Sequence, residues 1–433
     1  MNIAIIGTGY VGLVSGACFA EMGNNVTCID INTDKIKALQ QGNIPIYEPQ
    51  LSELICKNIN LNRIHFSTDL SAILNSVDIV FITVGTQLNN KGEQDLSSVF
   101  NVAKNIGNFL DKYVLVVIKS TVQVGTSKII KSIIQSELDK RKANIAFDVA
   151  SNPEFLREGN AIKDFMHPDR IVIGADSSKA KMLLENLYEI IRPNTRIIFT
   201  DTSSAEMAKF ASNAMLATRI SLINEIANLC EKVGANITMV QDVLKTDTRI
   251  GSKYLEAGCG YGGSCLPKDV KSLIKISEEN NLKMQILESV EASNNKQKNI
   301  LFNKFKNHFG DIKNKHIAIL GLSFKPETDD MREAPSLTLI NKLIESECTI
   351  SAYDPVAMPE CQRKIGDIIK YSKNVYECVK DADAIFLVTE WSNFSNLDWD
   401  EIKKLAKNNV VLFDGRNFLE PTKLCGIKHI RIG

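Results

Sequence analysis

The 433-residue sequence carries no excess charge, since 51 Lys and Arg balance 51 Asp and Glu. No global field therefore draws it to nucleic acid, and an anionic ligand has to be met by local groups. It also lacks a CxxC pair and any short Cys/His cluster, which argues against a metal centre. Its ten cysteines, Cys18, Cys28, Cys56, Cys230, Cys259, Cys265, Cys348, Cys361, Cys378 and Cys425, are scattered. Without an export signal, most are expected to be reduced and buried as small hydrophobes in a cytoplasmic protein. None of the five histidines, His65, His167, His308, His316 and His429, lies in a motif suited to imidazole-based hydride transfer. There is no low-complexity tract and no short-period repeat. With 44% hydrophobic and 24% charged residues the composition is that of a globular protein.

Residues 3–20 contain no charge and mimic a signal peptide or membrane span. No Lys or Arg precedes them, however, and Gly7, Gly9, Gly12 and Gly16 break the run, so membrane association is not expected. Short β-branched runs at 3–6, 26–29, 79–82, 114–118, 145–149, 171–173 and 197–199 alternate with amphipathic stretches at 12–22, 34–41, 96–110, 126–140 and 179–190. That alternation predicts buried parallel strands in a doubly wound α/β sheet. From 202 to 233 there is neither Pro nor Gly. Apolar residues there cover much of the circumference of one long helix, which suggests burial between domains or against another subunit. Helical sequence continues at 239–245, 269–280 and 283–308. Strands return at 316–320, 349–353, 384–388 and 410–413, with a helix at 336–346, as a second, smaller α/β sheet.

The first strand runs into Gly7-Thr-Gly-Tyr-Val-Gly12 and then a helix. In such an array the first glycine permits a tight turn, the second lets backbone approach a pyrophosphate, and the third allows close helix–strand packing. The second strand ends at Asp30, near the ~20-residue spacing at which an acid accepts hydrogen bonds from a ribose 2′-hydroxyl. That favours NAD over NADP, although Lys35 follows closely. Thr83-Val-Gly-Thr86 and Lys119-Ser-Thr121 each close a strand at its carboxyl end, where they are expected to line the cofactor cleft.

The chemical groups lie further on. Gly258-Cys-Gly-Tyr-Gly-Gly-Ser-Cys-Leu-Pro-Lys-Asp269 puts Cys265 just before a helix N-terminus, with Lys268 nearby. Both influences lower a thiol pKa, which is the setting of a nucleophile. Glu154 and Glu158, in Ser151-Asn-Pro-Glu-Phe-Leu-Arg-Glu158, follow a strand at i and i+4, and would share a face if helical. Lys209 and Asn213 share that spacing on the long helix, where an ammonium and an amide could stabilise an oxyanion.

Together with Gly321-Leu-Ser-Phe-Lys-Pro-Glu-Thr-Asp-Asp-Met-Arg-Glu-Ala-Pro335, these motifs run in order across nearly the whole chain, and the sequence resembles the nucleotide-sugar dehydrogenases. The resemblance implies two Rossmann-like doubly wound domains joined by a long central helix and a helical middle region. The expected domains are an NAD-binding one at 1–200, a central one for dimerisation with the cysteine loop at 201–310, and one binding the UDP moiety at 311–433. It also implies an NAD-dependent four-electron oxidation of UDP-glucose to UDP-glucuronate, a polysaccharide precursor. GDP-mannose, a UDP-N-acetylhexosamine or a two-electron reaction are the alternatives.

In the family's mechanism Cys265 forms a thiohemiacetal and then a thioester. Lys209 and Asn213 hold the oxyanions, Glu154 serves as acid/base in hydrolysis, and Thr121 and Asp269 position water. Lys209 may also be the base of the first oxidation. The cofactor-binding residues implied are Gly7, Gly9, Tyr10, Val11, Gly12, Asp30, Lys35, Thr86, Thr121, Glu158, Lys268 and Arg332. Those implied around the sugar nucleotide are Glu154, Phe155, Leu156, Lys209, Asn213, Tyr254, Gly262, Lys325 and Arg416. Arg249 matches an arginine that reaches the neighbouring subunit's substrate, which implies a homodimer built on the long helix.

Overall fold

The computed structural model describes residues 1–89 and 92–433. They divide into two compact units, 1–212 and 213–433, each with its own sheet.

The first sheet has eight strands: β1 (Asn2–Ile6), β2 (Asn25–Ile29), β3 (Ile64–Ser67), β4 (Ile79–Ile82), β5 (Val114–Ile118), β6 (Phe147–Ser151), β7 (Arg170–Ala175) and β8 (Arg196–Thr200). Their order is β3-β2-β1-β4-β5-β6-β7-β8. Pairing from β3 through β6 is parallel, and both faces are covered. Ile3, Ile5, Phe81, Leu115 and Val117 enter one core, while Ala4, Ile6, Val80, Ile82, Val114, Val116 and Ile118 enter the other. That is why these strands read as unbroken apolar runs rather than alternating ones.

The strand order reverses between β1 and β4, so the crevice of a doubly wound sheet opens at their carboxyl ends. Register fixes what stands there. Ile6 pairs with Ile29 and Ile82, Ile82 with Ile118, and Ile118 with Ser151. The residues that follow each, Gly7, Asp30, Thr83, Lys119 and Asn152, are thereby ranged along one edge.

Two expectations need correction. The strand expected at 171–173 is β7, and it runs antiparallel to β6. The only α-helix between them, Ala161–Met166, has six residues and spans about 9 Å, short of the ~17 Å return that a parallel five-residue strand needs. The strand expected at 197–199 is β8, which is not buried: Ile198 and Phe199 are 38% and 40% exposed.

The second sheet is parallel throughout: β9 (His316–Leu320), β10 (Thr349–Tyr353), β11 (Lys370–Tyr371), β12 (Ala384–Leu387), β13 (Val411–Asp414) and β14 (Lys428–Ile430), in the order β11-β10-β9-β12-β13-β14. The long helix is Thr202–Val233, 32 residues. The stretch 283–308 is two helices, Gln285–Gln297 and Ile300–Phe309, instead of one. At the turn between them Lys298 is buried, with its ammonium 2.8 Å from Glu333. No helix among the described residues is long and apolar enough to cross a membrane.

Packing at the first β–α turn generates a prediction. A Cβ on Gly12 would stand 1.8 Å from the Gly7 carbonyl oxygen and 2.7 Å from Thr83 Oγ1. Gly12→Ala should destabilise the protein by about 1–3 kcal/mol, read from its urea midpoint, and should weaken NAD binding by pushing the helix off the strand. A variant with wild-type midpoint and affinity would refute the close-packing role.

Candidate functional site

In the first unit the glycine array forms the turn expected of it. Gly7 has φ +102° and donates to the Ile29 carbonyl at 2.7 Å. The helix Tyr10–Glu21 starts at once. Around Gly9 a Cβ would meet nothing within 4 Å, so the backbone there faces open space of the kind a pyrophosphate fills, beside a helix N-terminus. Val11 lies in the first turn of that helix. Asp30 Oδ2 accepts from Thr8 N (2.9 Å) and Thr8 Oγ1 (2.7 Å), Oδ1 accepts from Asn32 N (3.1 Å), and Lys35 Nζ lies 3.6 Å away. Burial works to raise its carboxyl, yet the Thr8 and Asn32 hydrogen bonds and Lys35 together hold it below the usual range. Asp30 is thus a fixed carboxylate at the end of β2. These residues fit an NAD pyrophosphate and ribose.

The next two strand ends are stitched together. Thr86 Oγ1 donates to the Thr121 carbonyl (2.7 Å), and Ser120 Oγ to the Val84 carbonyl (2.7 Å). Beyond them three charges are buried together. Glu154 Oε1 lies 3.0 Å from Lys209 Nζ, with the two side chains 6% and 4% exposed. Glu154 Oε2 accepts from Leu156 N at 2.6 Å. Burial tends to raise the Glu154 carboxyl, but Lys209, the Leu156 amide and Lys119 outweigh it and keep it ionised. Phe155 is stacked under Arg170, 3.9 Å from guanidinium carbon to ring centroid. Residues 152–156 are not helical, so Glu154 and Glu158 do not share a helix face. Pro153 supplies no N–H, and the Glu154 carboxylate caps its own turn instead.

Lys119 is a buried charge that its place in the sequence does not mark. It is buried and donates to Asn152 Oδ1 at 3.3 Å, and Asn152 in turn accepts from Tyr188 Oη at 2.6 Å. Burial pulls its ammonium down to about 8, with Glu154 opposing the fall and Lys209 adding to it. The only signal in the sequence was a lysine ending an apolar strand.

In the second unit Cys265 directly precedes the helix Leu266–Glu279, and its Sγ lies 3.5 Å from Ser264 Oγ. It is partly exposed, whereas Cys18, Cys28, Cys230, Cys259, Cys348, Cys361 and Cys378 are buried. Cys56 and Cys425 also reach solvent, but neither precedes a helix. Asp269 is 1% exposed; its Oδ2 accepts from Asn213 Nδ2 (2.6 Å) and its Oδ1 from Lys268 Nζ (2.6 Å). The Lys268 charge is therefore directed at Asp269.

The cysteine loop packs on the segment after β9. A Cβ on Gly262 would lie 2.4 Å from the Glu333 carbonyl oxygen, and Gly263 N donates to Arg332 O at 2.7 Å. Arg332 pairs with Asp330, and Lys325 lies over the Phe324 ring. Arg416 braces this region, donating to Val388 O (2.7 Å), Phe324 O (3.0 Å) and Gly260 O (3.4 Å). Tyr254 has φ +62° in the loop before the glycines. Arg249 stands apart: its side chain is 88% exposed and paired with Asp247. Its loop is held from the long helix by Arg219, which donates to the Ile250 and Gly251 carbonyls.

A glycine-array turn with a carboxylate at the end of the second strand is the frame of a nicotinamide-dinucleotide oxidoreductase. The chain belongs to the UDP-glucose/GDP-mannose dehydrogenase family: its NAD binding domain matches residues 1–192, its central domain 203–296 and its UDP binding domain 318–421. The UDP-glucose 6-dehydrogenase TuaD of Bacillus subtilis is 44% identical over 434 residues, covering 100% of this chain and 93% of that protein. The solved UDP-glucose dehydrogenase of Pyrobaculum islandicum superposes with TM-score 0.91 at 32% identity, covering 100% and 97%. A UDP-D-ManNAc dehydrogenase structure from Pyrococcus horikoshii gives 0.86 at 26%, covering 100% and 99%.

The Lys119 environment carries a pH prediction. An unfolded lysine keeps its proton to about pH 10.5 and the folded Lys119 only to about 8, so this group adds stability as pH rises between those values and adds none below them. The gain amounts to about 3 kcal/mol. Lys119→Met should lose that increment, so that the wild-type-minus-variant difference in urea-derived stability grows by about 3 kcal/mol from pH 8 to 10.5. An identical pH dependence in the two proteins would show that Lys119 is not perturbed.

Proposed function

We propose that the protein is an NAD-dependent UDP-glucose 6-dehydrogenase that takes the C6 alcohol through the aldehyde to the carboxylate, releasing UDP-glucuronate. The observation that carries this reading is Cys265, a partly exposed thiol at the head of a helix, in a chain related to such enzymes along its whole length. Gly7, Gly9, Tyr10, Val11, Gly12, Asp30, Lys35, Thr86, Thr121, Glu158, Lys268 and Arg332 would hold NAD, which would supply a hydride acceptor, one molecule for each oxidation. In its amine form Lys209 takes the proton of the C6 alcohol, and the ammonium so formed, beside Glu154, is the form that acts in the next step.

The Cys265 thiolate then adds to the C6 aldehyde, forming a C–S bond and an alkoxide that Lys209 and Asn213 stabilise by hydrogen bonding. Loss of the C6 hydrogen from that adduct as hydride leaves a thioester. A water positioned by Thr121 and Asp269 attacks it, Glu154 takes the water's proton, and the C–S bond breaks to return the Cys265 thiolate. Dividing the oxidation in this way avoids release of a free aldehyde. Phe155, Leu156, Tyr254, Gly262, Lys325 and Arg416 surround the sugar nucleotide.

We further propose that the enzyme acts in the cytoplasm as a homodimer in which Arg249 reaches the partner's substrate. The support for the dimer is a stripe on the long helix, Met215, Leu222, Leu229 and Val233, 56–67% exposed at the seven-residue and four-residue spacings that place side chains on one face. The support for the compartment is that no disulfide joins any of the ten cysteines, as a reducing environment requires.

With excess NAD, two NADH should form per UDP-glucose consumed. One NADH per sugar would identify a two-electron dehydrogenase. No NADH from UDP-glucose, but turnover of GDP-mannose or a UDP-N-acetylhexosamine, would move the enzyme to a sister specificity. Cys265→Ser should retain NAD binding yet lower sugar-acid formation by about a hundredfold or more, on the scale of losing an essential nucleophile; sugar acid at the wild-type rate would rule out the covalent route.

A further inference from the structure

Glu48 is a buried carboxylate, 6% exposed, in the loop between the helices Thr33–Gln40 and Leu51–Asn60. It has no place in the chemistry above, yet both its oxygens are engaged. Oε2 accepts from the Tyr10 hydroxyl and from Gly159 N at 2.6 Å, and Oε1 accepts from Ala161 N at 2.7 Å. Gly159 N is also 3.1 Å from the Tyr10 hydroxyl oxygen. Burial and the Glu48 carboxylate push the Tyr10 phenol above its ordinary pKa, so it remains a donor.

These contacts join two segments far apart in sequence. Tyr10 is the first helical residue behind the glycine turn. Gly159, at φ +77°, ends the segment that begins at β6 and carries Glu154 and Glu158. One carboxylate thus spans the turn that seats the cofactor phosphates and the loop that bears the carboxylates of the site. No neutral side chain can replace it. A carboxamide offers one acceptor oxygen, and its NH2 would face a backbone N–H, donor against donor. The loop has separate anchorage, because Arg157 donates from its backbone N, Nε and Nη2 to Asp164. Loss of Glu48 should therefore displace the loop without unfolding it.

We propose that Glu48 is a positioning residue for the cofactor, holding the 154–159 loop in register with the glycine turn so that the two grip NAD together. The proposal rests on the NAD-binding part of the reading above and is independent of the sugar.

The test is NADH binding to the full-length protein, followed by nicotinamide fluorescence with no sugar present, alongside melting temperatures. Glu48→Gln should weaken NADH binding about tenfold, the loss of roughly one charge-assisted hydrogen bond, and Tyr10→Phe about threefold. Because both cut one link, the double variant should bind no more weakly than Glu48→Gln alone. In turnover the KM for NAD should rise by a similar factor, with the KM for UDP-glucose within about twofold of wild type. A lowered melting temperature with unchanged NADH affinity, or additive losses in the double variant, would overturn the proposal. Should Glu48→Gln fail to fold, Tyr10→Phe decides by itself, and wild-type affinity there would be fatal. Normal NADH binding with the expected losses, but no oxidation of UDP-glucose, would sink the substrate assignment and leave this inference standing.

Discussion

The first unit is organised around a buried ion pair. Glu154 and Lys209 are almost completely buried, and Lys119 is buried close by. Taking a lone charge out of water costs several kcal/mol, and only a well-made pair offsets it. One carboxylate set against two ammonium groups leaves the cluster positive while Lys119 keeps its proton; burial, with a smaller push from Lys209, pulls the Lys119 ammonium down to about 8 against the attraction of Glu154. An environment built this way favours new negative charge. The two lysines, with the Leu156 amide, explain why Glu154 stays ionised in spite of its burial.

The parts of this arrangement that rest on chain-local rules were legible in the sequence. The long helix was readable to its ends because Thr202–Val233 contains neither Pro nor Gly. The glycine turn was readable because its spacing is dictated by backbone contact, and Asp30 because a strand end fixes its place. Long-range pairing was not readable. Nothing near Glu48 announces that its partners are Tyr10, Gly159 and Ala161, and nothing near Lys119 announces Asn152. A buried charge is specified by what surrounds it, and those residues come from other strands. The reversal of β7 was hidden for a related reason: strand direction depends on how far the intervening chain can travel, and an apolar run looks the same either way round.

Comparing the two sheets shows how one frame was turned to two uses. Each opens with a strand ending in a glycine of positive φ, Gly7 and Gly321. Each glycine donates to the last carbonyl of the second strand, Ile29 or Tyr353, and each abuts a threonine at the end of the next strand over, Thr83 or Thr389. The second strands are both followed by an aspartate. Asp30 keeps its side chain 17% exposed, at the edge where a ribose would lie. Asp354 is sealed, accepting from Leu322 N, Ser323 N, Val356 N, Ala357 N, Ser323 Oγ and Trp391 Nε1. With its oxygens saturated inside the protein, it has nothing left for a ligand hydroxyl.

The loops that follow complete the divergence. In the first unit the helix begins at Tyr10, directly behind the turn, and its N-terminal amides are on hand for phosphate. In the second the helix waits until Pro335, and residues 321–334 occupy the intervening space. That longer loop brings Lys325 and Arg332 to the carboxyl end of the sheet, and it is the surface on which Gly262 and Gly263 pack. The second sheet has thus exchanged a helix N-terminus for a longer loop that carries cationic side chains and a seat for the cysteine loop. What distinguishes the two units is therefore the chain between the first strand and its helix: a tight turn in one, and in the other a fourteen-residue loop, 321–334, on which a second loop rests.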